Sequence, residues 1–276
     1  MLQQRTITAL VLAPLGVLLV LFAPTAALAL VTGAVVVGSL WEWTRLSGVA
    51  SRPARSAIVA LAALLLVPIW IWRDTPAAWW ILGAGVAWWL AATWWLGRFA
   101  FGAAPTRENA TLKVFVGFLA TVPAWLALVK LHADPDRGPG WALLALMLVW
   151  AADTAAYFTG KRYGRKKLAP QISPNKTLAG VYGAFGGAAL LALVAGLILG
   201  ARGVALAGVI VLALVAVAAS IVGDLFESLI KRQASVKDSG TLFPGHGGLF
   251  DRFDSVFAAL PVFALGKALL DLALSP

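Results

Sequence analysis

The sequence contains no cysteine, which excludes disulfides, thiolate nucleophiles and Cys-ligated metal centres. It is also poor in charge. Only 12% of its 276 residues are Asp, Glu, Lys or Arg, and 61% are hydrophobic. A soluble enzyme, a disulfide-stapled secreted domain and a disordered tail each require a different composition. No Gly-x4-Gly-Lys-Ser/Thr loop and no Gly-x-Gly-x-x-Gly fingerprint occurs, so phosphate chemistry here needs a site of its own.

What the chain has in abundance is long apolar runs. Nine of them approach the ~20 residues that carry a helix across a bilayer. They cover residues 7–22, 25–43, 57–72, 77–96, 112–131, 141–158, 180–199, 204–222 and 256–274. The expected fold is an all-α, polytopic integral membrane protein with about nine transmembrane helices. Ala26, Ala27 and Ala29 after the first run suggest a signal-peptide cleavage site. Against this, Arg5 is the whole charged n-region and the apolar character barely pauses, so a retained helix is the favoured reading.

The net charge of +10 is explained by topology. With a cytoplasmic N-terminus, Arg73, Lys130, Arg137, Arg202 and Lys267 fall on the far side, leaving 17 of the 22 basic residues on the near one. Such a bias predicts an N-in, C-out arrangement and removes any need for a nucleic-acid partner. Trp41, Trp43, Trp70, Trp72, Trp79, Trp80, Trp94, Trp95 and Trp141 lie near run ends, where interfacial belts form. Trp88, Trp89, Trp125 and Trp150 are deeper, as expected of residues that pack between helices or against lipid.

Residues 1–140, spans 1–5, read as a scaffold with almost no ionisable group that anchoring does not explain. Residues 141–276, spans 6–9, hold the chemistry in three clusters on the near side. Asp153, Tyr157 and Lys161 follow an i, i+4, i+8 spacing on one helix face. An ionisable group inside a span is costly and usually faces a polar cavity, although packing against a basic residue is the plainer alternative. The second cluster runs from Lys161 and Arg162 through Arg165–Lys167 to Ser173-Pro174-Asn175-Lys176-Thr177. Its bland reading is a basic patch against anionic headgroups. Ser173 as N-cap and Pro174 as first helical residue would instead open the seventh helix, with Lys176 and Thr177 forming a phosphate site at its N-terminus. The third cluster spans Asp224, Glu227, Lys231, Arg232, Lys237, Asp238, His246, Asp251 and Asp254. Glu227 and Lys231 suit a plain i, i+4 salt bridge, and acids opening a helix suit its dipole. Carboxylates clustered beside Lys and Arg fit better with a hard divalent cation bridging phosphates. His246 is more often structural than catalytic in such a setting, and Gly245–Gly248 permit a sharp turn or close backbone approach.

The run Ser228-Leu229-Ile230-Lys231-Arg232 … Lys237-Asp238-Ser239-Gly240 … Pro244-Gly245-His246-Gly247-Gly248 … Asp251-Arg252-Phe253-Asp254 resembles the signature of phosphatidate cytidylyltransferases, the CDP-diacylglycerol synthases. Asp153 through Ser173-Pro174-Asn175-Lys176-Thr177 is similar to a second segment of that family. The motifs cover residues 153–255; upstream the likeness is one of apolar spans only. Ala179 stands where the pattern leads one to expect Glu.

The resemblance implies that CTP and phosphatidate are converted to CDP-diacylglycerol and pyrophosphate. It implies Mg²⁺ with room for a second cation such as K⁺, a homodimer, and a bacterial inner membrane with the site facing the cytoplasm. By matched position, Asp224 and Asp251 are the expected metal ligands. Lys231, Arg232, Lys237, Asp238, His246 and Asp254 are the expected catalytic set. Lys161, Arg162, Ser173, Lys176, Thr177, Asp153 and Tyr157 are expected around the substrate phosphates. A transporter of anionic solutes is the alternative from another class, but the polar residues show no matching feature in the first half. A CDP-alcohol phosphotransferase would need an Asp-x-x-Asp-Gly start, whereas Asp254 is followed by Ser255.

Overall fold

A computed structural model describes residues 13–240 and 247–274. Helices dominate: α1 (Ala13–Phe22), then α2 (Thr25–Leu46), α3 (Arg52–Trp72), α4 (Ala77–Leu96), α5 (Arg107–Ala133), α6 (Gly138–Tyr163), α7 (Leu178–Ile198), α8 (Gly203–Gln233) and α9 (Phe250–Leu274). Between α6 and α7 lies a hairpin of β1 (Lys167–Ala169) and β2 (Ser173–Thr177). Among the described residues, seven of these helices (α2, α3 and α5–α9) are long and apolar enough to cross a membrane. The described part of α1 is too short, and α4 carries paired tryptophans at Trp79/Trp80, Trp88/Trp89 and Trp94/Trp95 that lower its mean hydropathy.

α5 and α9 form the interior. α5 packs against α2, α4, α6 and α9, and one buried apolar cluster runs through both halves of the chain. At Gly85 the helix α4 approaches Pro123 of α5 and Pro261 of α9, where any side chain would collide. α6 and α7 pack through small residues: Gly183 meets Thr159 and Gly187 meets Ala155. Close approach of this kind drives helix association where water supplies no hydrophobic force.

Three tryptophans expected at interfaces are interior instead. Trp43, Trp95 and Trp141 are buried, while Trp41, Trp72, Trp79, Trp80 and Trp94 are exposed as a belt requires. Trp150, expected between helices or against lipid, is exposed on the protein surface and lines a cavity. Trp141 lies under Lys267, whose Nζ is 4.7 Å from the ring, and Trp43 and Trp95 belong to a cluster around Phe226 of α8. Its ring lies 5.3 Å from Trp88, 5.4 Å from Trp95 and 6.2 Å from Trp43, and Trp43 stacks on Phe250 at 4.7 Å. These aromatics carry the last turns of α8 and the first turn of α9 on a rigid base.

The polar residues gather at the two ends of the bundle. At one end Gln233 of α8 reaches the Phe99 and Phe101 carbonyls after α4, and Trp43 of α2 reaches the Lys113 carbonyl of α5. At the other, Lys130 bonds to the Arg73 carbonyl and Lys267 pairs with Asp134. With 31 residues, α8 is about 46 Å long against a hydrocarbon core of ~30 Å. It is longer than a span requires, and its ionisable residues, Asp224, Glu227, Lys231 and Arg232, all lie in its last turns, at the first end.

Candidate active site

The first end of the bundle holds two adjoining cavities. The larger, about 620 Å³, is bounded by Asp153, Tyr157 and Lys161 of α6, by Lys167, Ser173, Asn175, Lys176 and Thr177 of the hairpin, and by Gly180 and Ala184 of α7. Its rim is basic and its floor is made of small apolar residues. The smaller, about 350 Å³, is lined by Asp153 and Trp150 of α6, Asp224, Glu227 and Lys231 of α8, Asp238, and Asp251, Arg252 and Asp254 of α9. Asp153, Asp224 and Ser255 face both. The side-chain period of α8 places Asp224, Glu227 and Lys231 on one stripe facing α9. Antiparallel packing of α8 and α9 brings the acidic C-terminal turns of one against the acidic start of the other.

The electrostatics are paired but incompletely. Lys231 Nζ donates to Glu227 Oε2 at 2.6 Å and to Asp251 Oδ1 at 2.7 Å. Lys176 Nζ lies 2.5 Å from Asp224 Oδ2. Asp251 Oδ2 accepts from the Gly248 N–H at 2.7 Å, the Ser239 N–H at 2.9 Å and the Ser239 hydroxyl at 3.0 Å. Among the described residues, Glu227 Oε1 is buried with no hydrogen-bond partner. A buried carboxylate oxygen without a donor demands a missing partner. The donor set is all oxygen, which is what Mg²⁺ takes. No three His, Cys, Asp or Glu side chains converge into a ready-made cage among the described residues. Mg²⁺ commonly completes its shell with substrate phosphates and water, and the residues present fit that mode.

The sequence matches the cytidylyltransferase family over residues 3–269. The chain belongs to that family. It is 40% identical over 275 residues to the phosphatidate cytidylyltransferase of Pseudomonas aeruginosa, with 96% of each chain covered. It is 34% identical to that of Haemophilus influenzae (96% of this chain, 98% of the relative) and 39% identical to that of Brucella suis (97% and 94%).

In this cytidylyltransferase-family chain the expected residues fall into three groups. Tyr157, Lys161, Ser173, Lys176 and Thr177 line the larger cavity, and Lys231, Asp238, Asp251 and Asp254 the smaller, with Asp153 and Asp224 shared by both. Three expected residues line neither. Arg162 is exposed and bonds to the Tyr163 hydroxyl. Arg232 donates to the Ile172 carbonyl at 3.3 Å, tying the hairpin to α8. Lys237 is exposed. His246 lies outside the described residues.

One expectation is corrected. Ser173 is not a helix cap and Pro174 does not open α7. Pairing of Ala169 with Ser173 and Lys167 with Thr177 holds residues 173–177 extended. The helix starts only at Leu178, with Thr177 as N-cap, its Oγ1 accepting from the Gly180 N–H at 3.2 Å. Proline is tolerated in such a strand because the ladder is two-stranded and has free edges. The Thr177 hydroxyl is thus occupied by capping, and Lys176 approaches the site from the strand.

Several residues were missed: Trp150, Lys167, Asn175, Arg252 and Ser255 line the cavities, and two more stand behind Asp251. Ser239 is buried beside Asp251, and Glu42 of α2 is buried with Oε2 2.9 Å from the Ser239 hydroxyl. Glu42 had a signal: it is a carboxylate inside an apolar span, the placement that marks function by default.

Proposed function

We propose that this protein transfers the cytidylyl group of CTP to phosphatidate, forming CDP-diacylglycerol and releasing pyrophosphate, at the polar end of the bundle. The observation that carries the reading is that Asp153, Asp224 and Ser255 face two adjoining cavities at once, one with a basic rim and one lined by carboxylates. Two phosphate-bearing substrates can meet across such a wall. A phosphatidate oxygen is already nucleophilic. It attacks the α-phosphorus of CTP, the bond from that phosphorus to the bridging oxygen breaks, and the electron pair leaves with pyrophosphate. No Ser or Cys needs activation, so alignment and charge neutralisation carry the catalysis.

Lys161, Lys167 and Lys176 on the rim of the larger cavity offset phosphate charge. Lys231 holds Glu227 and Asp251 in fixed positions and has a third proton to offer. Asp224 and Asp251 would hold Mg²⁺, with substrate phosphates and water completing its shell, and a second cation such as K⁺ would draw on the same oxygens. Bound there, Mg²⁺ supplies Lewis-acid polarisation of the triphosphate. Incubating purified protein with labelled CTP, phosphatidate and Mg²⁺ tests the reading. Formation of CDP-diacylglycerol and pyrophosphate supports it, and transport of an anion into liposomes without such products sinks it.

Lys176 gives a more local test. Its side chain is 25% exposed and that of Asp224 32%, so the pair contributes about 1 kcal/mol or less to folding. Lys176→Ala is expected to melt like the wild type while the KM for CTP or phosphatidate rises about tenfold, a loss of about 1.4 kcal/mol. Unchanged kinetics would reduce the hairpin to topology.

The proposed orientation is nine spans, N-terminus in the cytoplasm and C-terminus outside, in a bacterial inner membrane, with the site facing the cytoplasm. The basic-residue bias supports it. Reporter fusions at the two termini should report opposite faces, and two ends on one face would overturn the nine-span arrangement. A homodimer is proposed from the resemblance alone. The glycine strip of α7 does not speak for it, because Gly180, Gly183 and Gly187 already pack against α6 of the same chain.

A further inference from the structure

We propose that Glu42, in the N-terminal half, is a positioning residue for Asp251. The proposal rests on reading Asp251 as a carboxylate that faces the cation and substrate. Glu42 sits in the last turns of α2 and is 6% exposed. Its Oε2 accepts two hydrogen bonds at 2.9 Å, from the Ser239 hydroxyl and from the Phe250 N–H at the start of α9. One turn on, Arg45 donates to the Ser239 carbonyl at 2.9 Å. α2 therefore grips both the loop before α9 and the α9 N-terminus.

Asp251 is set by the same two segments. Its Oδ2 takes the Ser239 N–H, the Ser239 hydroxyl and the Gly248 N–H. The Ser239 hydroxyl stands 2.9 Å from Glu42 and 3.0 Å from Asp251, and it has one hydrogen for the two carboxylates. Where Glu42 holds Ser239 and Phe250, it fixes the segments whose Ser239 and Gly248 N–H groups hold Asp251 in the wall of the smaller cavity.

Two glycines of the signature are explained by the same contact. A Cβ on Gly240 would strike Glu42 Oε1, and one on Gly248 would strike Glu42 Oε2 and the Ser239 hydroxyl oxygen. Both glycines let the loop backbone close over a carboxylate supplied by α2. The aromatic base fixes α2 in turn, since Trp43 stacks on Phe250 and donates to the Lys113 carbonyl at 2.6 Å.

The test uses the full chain purified in detergent, with Mn²⁺ affinity measured by electron paramagnetic resonance in the presence of CTP, together with kcat, KM and the thermal melt. Glu42→Ala is expected to weaken Mn²⁺ binding and kcat by about 10- to 100-fold, the usual cost of losing a group that orients a ligand, with the KM for phosphatidate unchanged. Glu42→Gln is expected to recover both to within about fivefold, because the amide oxygen still accepts both bonds. A Glu42→Ala protein with wild-type Mn²⁺ affinity and kcat overturns the proposal. So does a folded Glu42→Gln as damaged as Ala, since charge rather than acceptor geometry would then matter. If Glu42→Ala does not fold, Glu42→Asp decides: the shorter carboxylate does not reach both Ser239 and Phe250, so about tenfold weaker Mn²⁺ binding is expected, and unchanged binding is contrary. Asp251→Asn in parallel separates the two failures. Wild-type Mn²⁺ binding in Asp251→Asn removes the reading of Asp251, whereas loss there with none in Glu42→Ala removes the role of Glu42 alone.

Discussion

Asp251→Asn and Asp224→Asn are each expected to cost about three decades of turnover or more, about 4 kcal/mol of transition-state stabilisation. The two differ in what else they lose. Asp224 pairs with Lys176, the one partner it has among the described residues, and its side chain is 32% exposed, so Asn keeps its shape and the fold should melt as the wild type does. Asp251 is 6% exposed, with Lys231 on one oxygen and three donors on the other. An Asn amide group must face donors on whichever side its nitrogen falls. Asp251→Asn should therefore melt lower as well as turn over slowly. Turnover against Mg²⁺ concentration, with thermal melts of each variant, is the measurement. Near-wild-type rate and metal dependence in either folded variant would remove that residue from the cation site.

Lys231→Ala is expected to destabilise the protein by about 3–5 kcal/mol and to lose at least two decades of turnover. Glu227 and Asp251 are 2% and 6% exposed and both rest on the Lys231 ammonium, which is itself 15% exposed. Removing the cation leaves two buried carboxylates facing each other without compensation. Stability and function should separate in a double variant. Lys231→Met with Glu227→Gln deletes one charge of each sign and leaves Asp251 its backbone donors. Its melt should return towards wild type while turnover stays low. Lys231→Ala with an unchanged melt and rate would show that the buried triad is neither structural nor part of the site. If the double variant recovered both, Lys231 would be purely structural.

Much of the bundle was legible because membrane helices are written in the least ambiguous code a sequence has. In hydrocarbon each backbone N–H and C=O must be paired within the segment, so an apolar run of about 20 residues has one solution. The runs at 25–43, 77–96 and 256–274 thus correspond to α2, α4 and α9. The i, i+4 pair Glu227–Lys231 was also readable, because helix geometry alone brings it together. At the hairpin this logic broke down. Ser-Pro favours a helix start locally, but strand pairing with Lys167–Ala169 overrides it, and a three-residue partner strand leaves almost no pattern in sequence.

The sequence by itself determined the helical membrane class of the protein and where most of its long apolar helices run. These follow from composition and from periodicities local to one helix. The tertiary structure decided which of the polar residues share a cavity. Arg162 and Lys237 turn away from it, Arg232 serves the hairpin, and Asp251 meets Lys231 across 20 positions. It also brought in Glu42, 197 positions from Ser239, through the packing of α2 on α9. A lone carboxylate in an apolar helix shows that it needs a partner, and only the packing of helices distant in sequence supplies one.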